Sequence, residues 1–265
     1  KAYFYSLTAG IASLLAILIL FSPIGPFGHL LFEQKSQATG EDAQAGESRD
    51  DQAPGGNPHK PAEPRRKASV SSPPCVAVVV DDVGKGDAHL QEWLSVDAPL
   101  TFAVMPYCEL SPGQAERLYQ AGFQVMLHVP TVNAKPNSYS GKGQLEIGMD
   151  RATVFATLDA DLAQVPHVVG MNNHQGGAGC DDLNLMTLQC EWAKERGLFV
   201  VDSNSSARSQ VSVAAVSLGM PRRKNQVFID HDNDPEYIRK AMRNLADIAR
   251  RNGYAIGICH WHRPN

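Results

Sequence analysis

The chain has 265 residues, a formal net charge of −4 and a hydrophobic fraction of 43%. This acidic balance lacks the basic surface on which nucleic-acid binding depends, so we expect no nucleic-acid partner. The five cysteines are odd in number and contain no C-x-x-C pair, so no disulfide pairing can be read from them.

The N-terminal 32 residues are predicted to form a membrane anchor. Residues 7–21 carry no charge, and apolar side chains continue to Phe32. Such a stretch of about 20 residues can cross a bilayer as one helix. Pro23 and Pro26 would end or kink that helix. A cleaved signal peptide is the alternative, but no small-x-small cleavage site follows, which favours an uncleaved transmembrane helix over residues 1–32.

Residues 33–74 differ completely in composition. They are rich in Gly, Pro, Ser, Gln and Ala and contain almost no large apolar side chains. A segment of this kind buries too little apolar surface to offset the entropy lost on ordering. We therefore predict a disordered linker between the anchor and a domain over residues 75–265.

Strand and helix signals alternate through that domain. Helices are expected between the strands, and a cap is expected at Ser111, which is followed by proline. Strands are predicted over residues 76–80, 99–105, 124–127, 167–171, 198–201, 226–229 and 254–259. About seven strands joined by helical crossovers indicate a parallel α/β fold.

Polar side chains follow most of these strands. They are Asp81, Asp82, His128, His174, Asp202, Asp232 and His260. In parallel α/β folds, ligands bind at this carboxyl edge. In an open sheet of seven strands, the outer strands lie nearly 30 Å apart, at about 4.8 Å per strand. A closed or nearly closed barrel brings all the ends to one mouth, so an irregular (β/α)7-type barrel is favoured over an open doubly wound sheet.

One carboxylate and two imidazoles among these residues can form a metal site. Asp82, His128 and His174 suit Zn²⁺ or another divalent transition metal, with positions left for water. Asp81 would be the general base toward a metal-bound water, and His260 the general acid that protonates a leaving group.

The other candidates have plausible structural explanations as well. Asp202 could orient an imidazole or bind a substrate hydroxyl. Asn172, Asn173 and Asp232 could contact substrate, although the two asparagines could be ordinary turn residues and Asp232 precedes a predicted helix. Trp261 could stack on a sugar at the rim or belong to the core.

Seven motifs in the order of the chain resemble the divergent polysaccharide deacetylases, a family of the carbohydrate deacetylase superfamily. The resemblance covers essentially all of residues 75–265. The motifs are VAVVVDDVG at 76–84, PLTFAVMP at 99–106, VMLHVP at 125–130, VGMNNH at 169–174, DS at 202–203, DNDP at 232–235 and GICHWH at 257–262.

This resemblance implies a fold, a location and residue roles. It implies an irregular (β/α) barrel that is exported to the bacterial periplasm, where the predicted anchor would tether it to the inner membrane. Asp81 is similar to the family's catalytic base, Asp82, His128 and His174 to its metal ligands, and His260 to its acid. Two departures lie at the rim: Asn204 stands where relatives commonly carry Arg, and Gln-Gly-Gly follows His174 where relatives show Met-Gly-Ser.

The predicted function is therefore metal-dependent removal of an acyl group, N-acetyl above all, from an envelope or exported glycan. One alternative is a glycan-binding or envelope protein that keeps the barrel without turnover. Another is a hydrolase of glycosidic or ester bonds, for which Asp202 or Asp232 would face Asp81 across the mouth.

Overall fold

A computed structural model describes residues 73–135 and 139–261 of the chain. The predicted anchor and the predicted linker up to residue 72 lie outside these residues. Within the described part, no helix is long and apolar enough to cross a bilayer.

Seven strands and six helices alternate along the described residues. The strands are β1 Cys75–Val83, β2 Thr101–Val104, β3 Gln124–Thr131, β4 Val168–Gln175, β5 Phe199–Val201, β6 Val227–Phe228 and β7 Tyr254–His260. The helices are α1 Leu90–Leu94, α2 Ser111–Gln120, α3 Arg151–Leu162, α4 Leu183–Glu195, α5 Val211–Ser217 and α6 Pro235–Asn252, with one 3₁₀ turn at Gly179–Asp181. The strands β1, β3, β4 and β7 run further than predicted and include the polar residues expected after them.

All seven strands lie in one parallel sheet of order β5-β4-β3-β2-β1-β7-β6. The first and last strands are therefore neighbours, and Asp81 lies opposite His260 in the register. The prediction of a parallel α/β fold is confirmed.

The sheet is a half-barrel and not a fully hydrogen-bonded barrel. Its edge strands are β5 and β6, which have only three and two residues. Near these edges, an isolated parallel bridge joins Asp202 to Lys224, and the Asp202 amide donates to Arg223 O at 2.9 Å. Strands of three and two residues are too short to form a longer hydrogen-bonded ladder with each other. The predicted barrel therefore closes incompletely.

Two hydrophobic clusters lie on opposite faces of the sheet. The larger cluster joins the sheet to the helices. The smaller one contains no helical residue and fills the concave face with Val79, Ala103, Met126, Val201, Ile256 and Ile258. Side chains alternate along a strand, so residues two positions beyond Val79, Met126 and Ile258 also face the concave side. Those residues are Asp81, His128 and His260.

Carboxylates cap helices α3 and α6 at their N-termini. Asp150 accepts from the Thr153 amide at the start of α3, and Asp234 accepts from the first amides of α6. The prediction of a Ser111 cap is wrong, because Ser111 is the first residue of α2 and Leu110 precedes it as the cap. The Ser111 hydroxyl instead donates to Met105 O, which ties α2 to the end of β2.

Asp161 is a buried acid of α3 that lies outside the polar strand ends. It shares the inner face of the helix with Val154 and Leu158 and is 0% exposed. Neither carboxylate oxygen has a hydrogen-bond partner among the described residues. A Cβ on Gly143 would lie 1.9 Å from Asp161 Oδ1, so only glycine fits beside this acid. Burial raises the pKa of Asp161 to about 8.

We expect Asp161→Asn to stabilise the protein at neutral and alkaline pH. The folded-state pKa is raised above the unfolded value of about 3.9, so the folded state holds this proton more tightly. The free energy of unfolding therefore falls as pH rises from about 4 to about 8 and then levels off. Asparagine does not titrate, so the variant should gain about 2 kcal/mol or more at the upper end, several degrees in Tm.

Thermal unfolding at several pH values measures this effect. Asp247→Asn is the matched control, because Asp247 forms an exposed ion pair with Arg250 on α6 and should change stability little. Parallel wild-type and Asp161→Asn curves across the whole pH range would show that Asp161 ionises normally.

Candidate functional site

A local distortion of β1 brings two adjacent carboxylates to one place. Neighbouring residues of a regular strand face opposite sides of the sheet. Here the β1–β2 register shifts between Val80 and Val83, and Asp82 adopts a left-handed φ of 67°. Both acids consequently approach the same atom, His128 Nε2, at 3.7 Å from Asp81 Oδ2 and 3.5 Å from Asp82 Oδ1.

Three side chains from three strands point their ligand atoms at one another. Asp82 Oδ1 lies 2.9 Å from His174 Nδ1, and that nitrogen lies 3.2 Å from His128 Nε2. These residues form the one described group of three or more His, Cys, Asp or Glu side chains whose ligand atoms cluster tightly enough to hold a metal ion.

The three residues pass a test of fit for a divalent metal. Ligands bound at 2.0–2.2 Å in a tetrahedral site lie about 3.3 Å from one another, close to the observed 2.9, 3.2 and 3.5 Å. Asp82 Oδ1 is buried, and no hydrogen bond of good geometry from the described residues satisfies it. A carboxylate with two imidazoles is also a donor set that zinc and similar ions prefer.

The charges of the group favour a cation. Burial opposes ionisation of Asp82, but the two imidazoles facing it outweigh burial and hold its pKa well below the ordinary range. Burial lowers the pKa of His174, which favours the neutral ring that metals bind. For His128, burial works in the same direction, but the carboxylates of Asp81 and Asp82 outweigh it and raise the pKa.

Asp81 lies on the concave face beside this group and is 3% exposed. Burial raises its pKa, although His128 and a hydrogen bond from Asn172 act in the opposite direction. Asn172 Nδ2 donates to Asp81 Oδ1 at 2.8 Å, and Asn172 Oδ1 lies 2.7 Å from His128 Nδ1. A buried carboxylate with a raised pKa is a suitable proton acceptor.

His260 is held by a carboxylate that the sequence analysis did not select. Its Nδ1 lies 3.1 Å from both carboxylate oxygens of Asp230, and its backbone amide donates to Asp230 Oδ2 at 2.8 Å. Burial lowers the pKa of His260, but Asp230, Asp81 and Asp82 outweigh burial and raise it. When it is protonated, this ring is a proton donor positioned one strand away from Asp81.

The turn after β1 is fixed from two sides. Gly84 has a φ of 116°, and a Cβ there would lie 2.2 Å from Ser111 Oγ. Gly86 O accepts from Gln114 Nε2 at 2.7 Å and from Trp261 Nε1 at 2.8 Å. These contacts hold the chain just beyond Asp82 against α2 and the end of β7.

Trp261 belongs to the core and not to the rim. It is 2% exposed, stacks on Trp93 and meets Phe102 edge to face. The prediction that it stacks on a sugar is therefore wrong for this structure. Since His260 faces the concave side, alternation turns the next residue toward the helices.

Two predicted substrate contacts are buried structural groups. Asn172 is 0% exposed and bridges Asp81 and His128, so it lies inside the site without reaching its surface. Asn173 faces the other side of β4, where its Nδ2 donates to Thr131 and Gln189 at 2.9 Å. Neither side chain is available to a sugar hydroxyl.

The two remaining acids also lie outside the cluster of imidazoles. Asp202 is 1% exposed, and its carboxylate accepts from Ser209, Ser212 and the Asn204 amide, so it organises the loop after β5. Asp232 is exposed and accepts from the Asp234 amide. Neither carboxylate contacts an imidazole among the described contacts, and neither is shown facing Asp81.

The position of Asp230 had a readable signal in the sequence. It lies two residues beyond Phe228 of β6, whose side chain packs against the concave cluster. Alternation therefore predicts that Asp230 continues on that face, next to β7. Of the several acids after this strand, Asp230 is the one nearest to the end of β6.

Comparisons with known proteins show to which family the chain is related. The family model described as divergent polysaccharide deacetylase matches residues 78–265. The uncharacterized protein YibQ of Escherichia coli K12 is 27% identical over 187 residues, which cover 71% of this chain and 58% of that protein. An uncharacterized protein of Haemophilus influenzae is 28% identical over 193 residues, which cover 72% of this chain and 67% of that protein.

A solved structure shares the fold. The uncharacterized protein ATU2773 from Agrobacterium tumefaciens C58 superimposes with a TM-score of 0.65 at 23% identity, over 71% of this chain and 77% of that chain. The alignment with the E. coli relative spans little more than half of that protein, 58% of its length. The family model, however, covers the whole sheet from the middle of β1 through β7. The chain belongs to the divergent polysaccharide deacetylase family.

Proposed function

We propose that this protein is a metal-dependent hydrolase that removes an N-acetyl group from a glycan. The observation that carries the proposal is the convergence of Asp82, His128 and His174 at distances of 2.9 to 3.5 Å. Asp81 lies beside this group, and His260, which pairs with Asp230, lies on the neighbouring strand β7.

The residues divide the reaction between them. A divalent metal held by Asp82, His128 and His174 would polarise the amide carbonyl and acidify water. Asp81 accepts a proton from the water as the water oxygen bonds to the carbonyl carbon of the amide. His260 donates a proton to the nitrogen as the carbon–nitrogen bond breaks. The products are acetate and a free amine on the sugar, and the raised pKa values of Asp81 and His260 suit these opposite roles.

Metal content and acetate release test the proposal together. We expect the purified protein, reconstituted with zinc, cobalt or nickel, to hold about one divalent ion per chain. It should release acetate from some of a panel of N-acetylated oligosaccharides, and a chelator should stop the release reversibly. A wild-type protein that takes up none of these metals would contradict the hydrolase and favour glycan binding without turnover.

We further propose that the domain acts in the periplasm on an envelope or exported glycan, tethered to the inner membrane by residues 1–32. The support is the apolar run at residues 7–21 and the polar segment that separates it from the domain. Protease protection of a tagged full-length chain in spheroplasts and in intact cells tests this topology. Recovery of the domain in the cytoplasmic fraction would contradict it.

A further inference from the structure

Asn172 connects the two halves of the candidate site. It lies on β4 directly opposite His128 in the register. Its amide nitrogen donates to Asp81 Oδ1 at 2.8 Å, and its carbonyl oxygen lies 2.7 Å from His128 Nδ1. One side chain that is 0% exposed therefore contacts both the base and a metal-site imidazole.

The chemistry of the amide determines which ring nitrogen of His128 carries a proton. The Asn172 NH₂ group donates to Asp81 Oδ1, so the amide oxygen is the atom that faces His128 Nδ1. A carbonyl oxygen only accepts hydrogen bonds, so His128 Nδ1 must carry the hydrogen. In the neutral ring, Nε2 then keeps its lone pair, and Nε2 is the atom that faces Asp82 and His174.

We propose that Asn172 is a positioning residue that couples the base to the metal site. It holds His128 in the tautomer that binds metal through Nε2, and it orients the Asp81 carboxylate with the other end of the same amide. The part of this inference that concerns Asp81 rests on the proposed function. The part that concerns His128 rests on metal binding alone.

Asn173 is the natural control for this role. It is the next residue of the same strand and is similarly buried, at 2% exposed. Its amide bonds to Thr131 and Gln189 on the helix side of the sheet and touches neither Asp81 nor His128. Equivalent substitutions at the two positions therefore separate damage to β4 from loss of the coupling.

Two substitutions divide the role of Asn172 into its parts. Asn172→Asp keeps an acceptor for His128 Nδ1 but removes the donor to Asp81 and adds a like charge beside it. Metal affinity should not weaken, whereas turnover should fall by about a hundredfold or more. Asn172→Leu removes both contacts and should also weaken metal affinity about 10- to 100-fold, as removal of a partner of a ligating histidine typically does.

The experiment is a titration of the apo protein with Zn²⁺ in competition with a chelator, for wild type, both Asn172 variants and Asn173→Leu. Wild-type affinity in Asn172→Leu, or equal weakening in Asn173→Leu, overturns the positioning role. Retained turnover in Asn172→Asp overturns the contact with Asp81. A wild type that binds no metal overturns the proposed function instead.

Nitrogen-15 NMR of the zinc-loaded wild type provides an independent measurement and decides the tautomer if a variant does not fold. The expected spectrum assigns the hydrogen of His128 to Nδ1. A hydrogen on Nε2 overturns the inference.

Discussion

Replacing Asp82 by asparagine is expected to abolish both metal binding and turnover, whereas the same substitution at Asp81 should abolish turnover alone. The two residues are adjacent, and each substitution exchanges one carboxylate oxygen for an NH₂ group. Asp82 Oδ1 is the atom that His174 Nδ1 approaches at 2.9 Å and His128 Nε2 at 3.5 Å. Asp81 approaches His128 more distantly, at 3.7 Å, and its other oxygen accepts from Asn172.

The expected magnitudes differ for the two substitutions. Asp82→Asn removes a charged ligand, so metal affinity should fall by more than about a hundredfold, beyond the effect of losing an outer hydrogen bond. Asp81→Asn removes a general base, for which the expected loss of turnover is about 10²- to 10⁴-fold with the metal retained. Asparagine is well suited to position 82 because, like aspartate, it tolerates the left-handed φ of 67° found there.

Metal analysis and acetate release on the same preparations distinguish the two roles. Thermal unfolding of the apo proteins is the control, since both variants should fold. Loss of metal from Asp81→Asn with retention of metal by Asp82→Asn would mean that Asp81 is the metal ligand and Asp82 the general base. Full turnover in Asp81→Asn would remove Asp81 from the mechanism.

The polar strand ends predicted most of this site because of how parallel strands are arranged. Each of Asp81, His128, His174 and His260 follows an apolar run in a separate segment, and parallel strands present their carboxyl ends at one edge. The sequence could not show that β1 and β7 are neighbours, which depends on the order of the strands in the sheet. It also could not show that β5 and β6 are too short to complete the barrel.

The incorrect site predictions at Asn173, Trp261 and Asp202 share one cause, which is the face of the sheet. Asn172 and His174 face the concave side, so Asn173 between them faces the helices. Trp261 follows His260 and turns away from it in the same manner, and Asp202 follows the concave-facing Val201. These positions were predicted from residue type and proximity to a strand end. Once the strand ends are known, alternation shows which of them face the concave side and which face the helices.

The pair of Asp230 and His260 leads to the second large expected effect, which concerns pH. A general acid must be protonated when it acts, so activity is lost as pH rises through the folded-state pKa of His260. Asp230 is the leading contributor among the groups that raise this pKa. Asp230→Asn keeps an acceptor for His260 Nδ1 but removes the charge, so the pKa should fall and the alkaline limb of activity should move to lower pH by about one unit.

The pH profile of kcat/KM for acetate release measures this shift. Asp232→Asn is the matched control, because Asp232 lies two residues along the same loop, is exposed, and accepts from the Asp234 amide instead of binding His260. His260→Gln removes the acid itself, so it should lower the rate about 10²- to 10⁴-fold and abolish the alkaline limb that His260 sets. An unmoved alkaline limb in Asp230→Asn would mean that another group sets it. The Asp230→Asn substitution leaves Asp82, His128 and His174 intact. A shifted alkaline limb with unchanged metal content would therefore show that the charge of Asp230 keeps His260 protonated, so that His260 can donate a proton to the leaving amine.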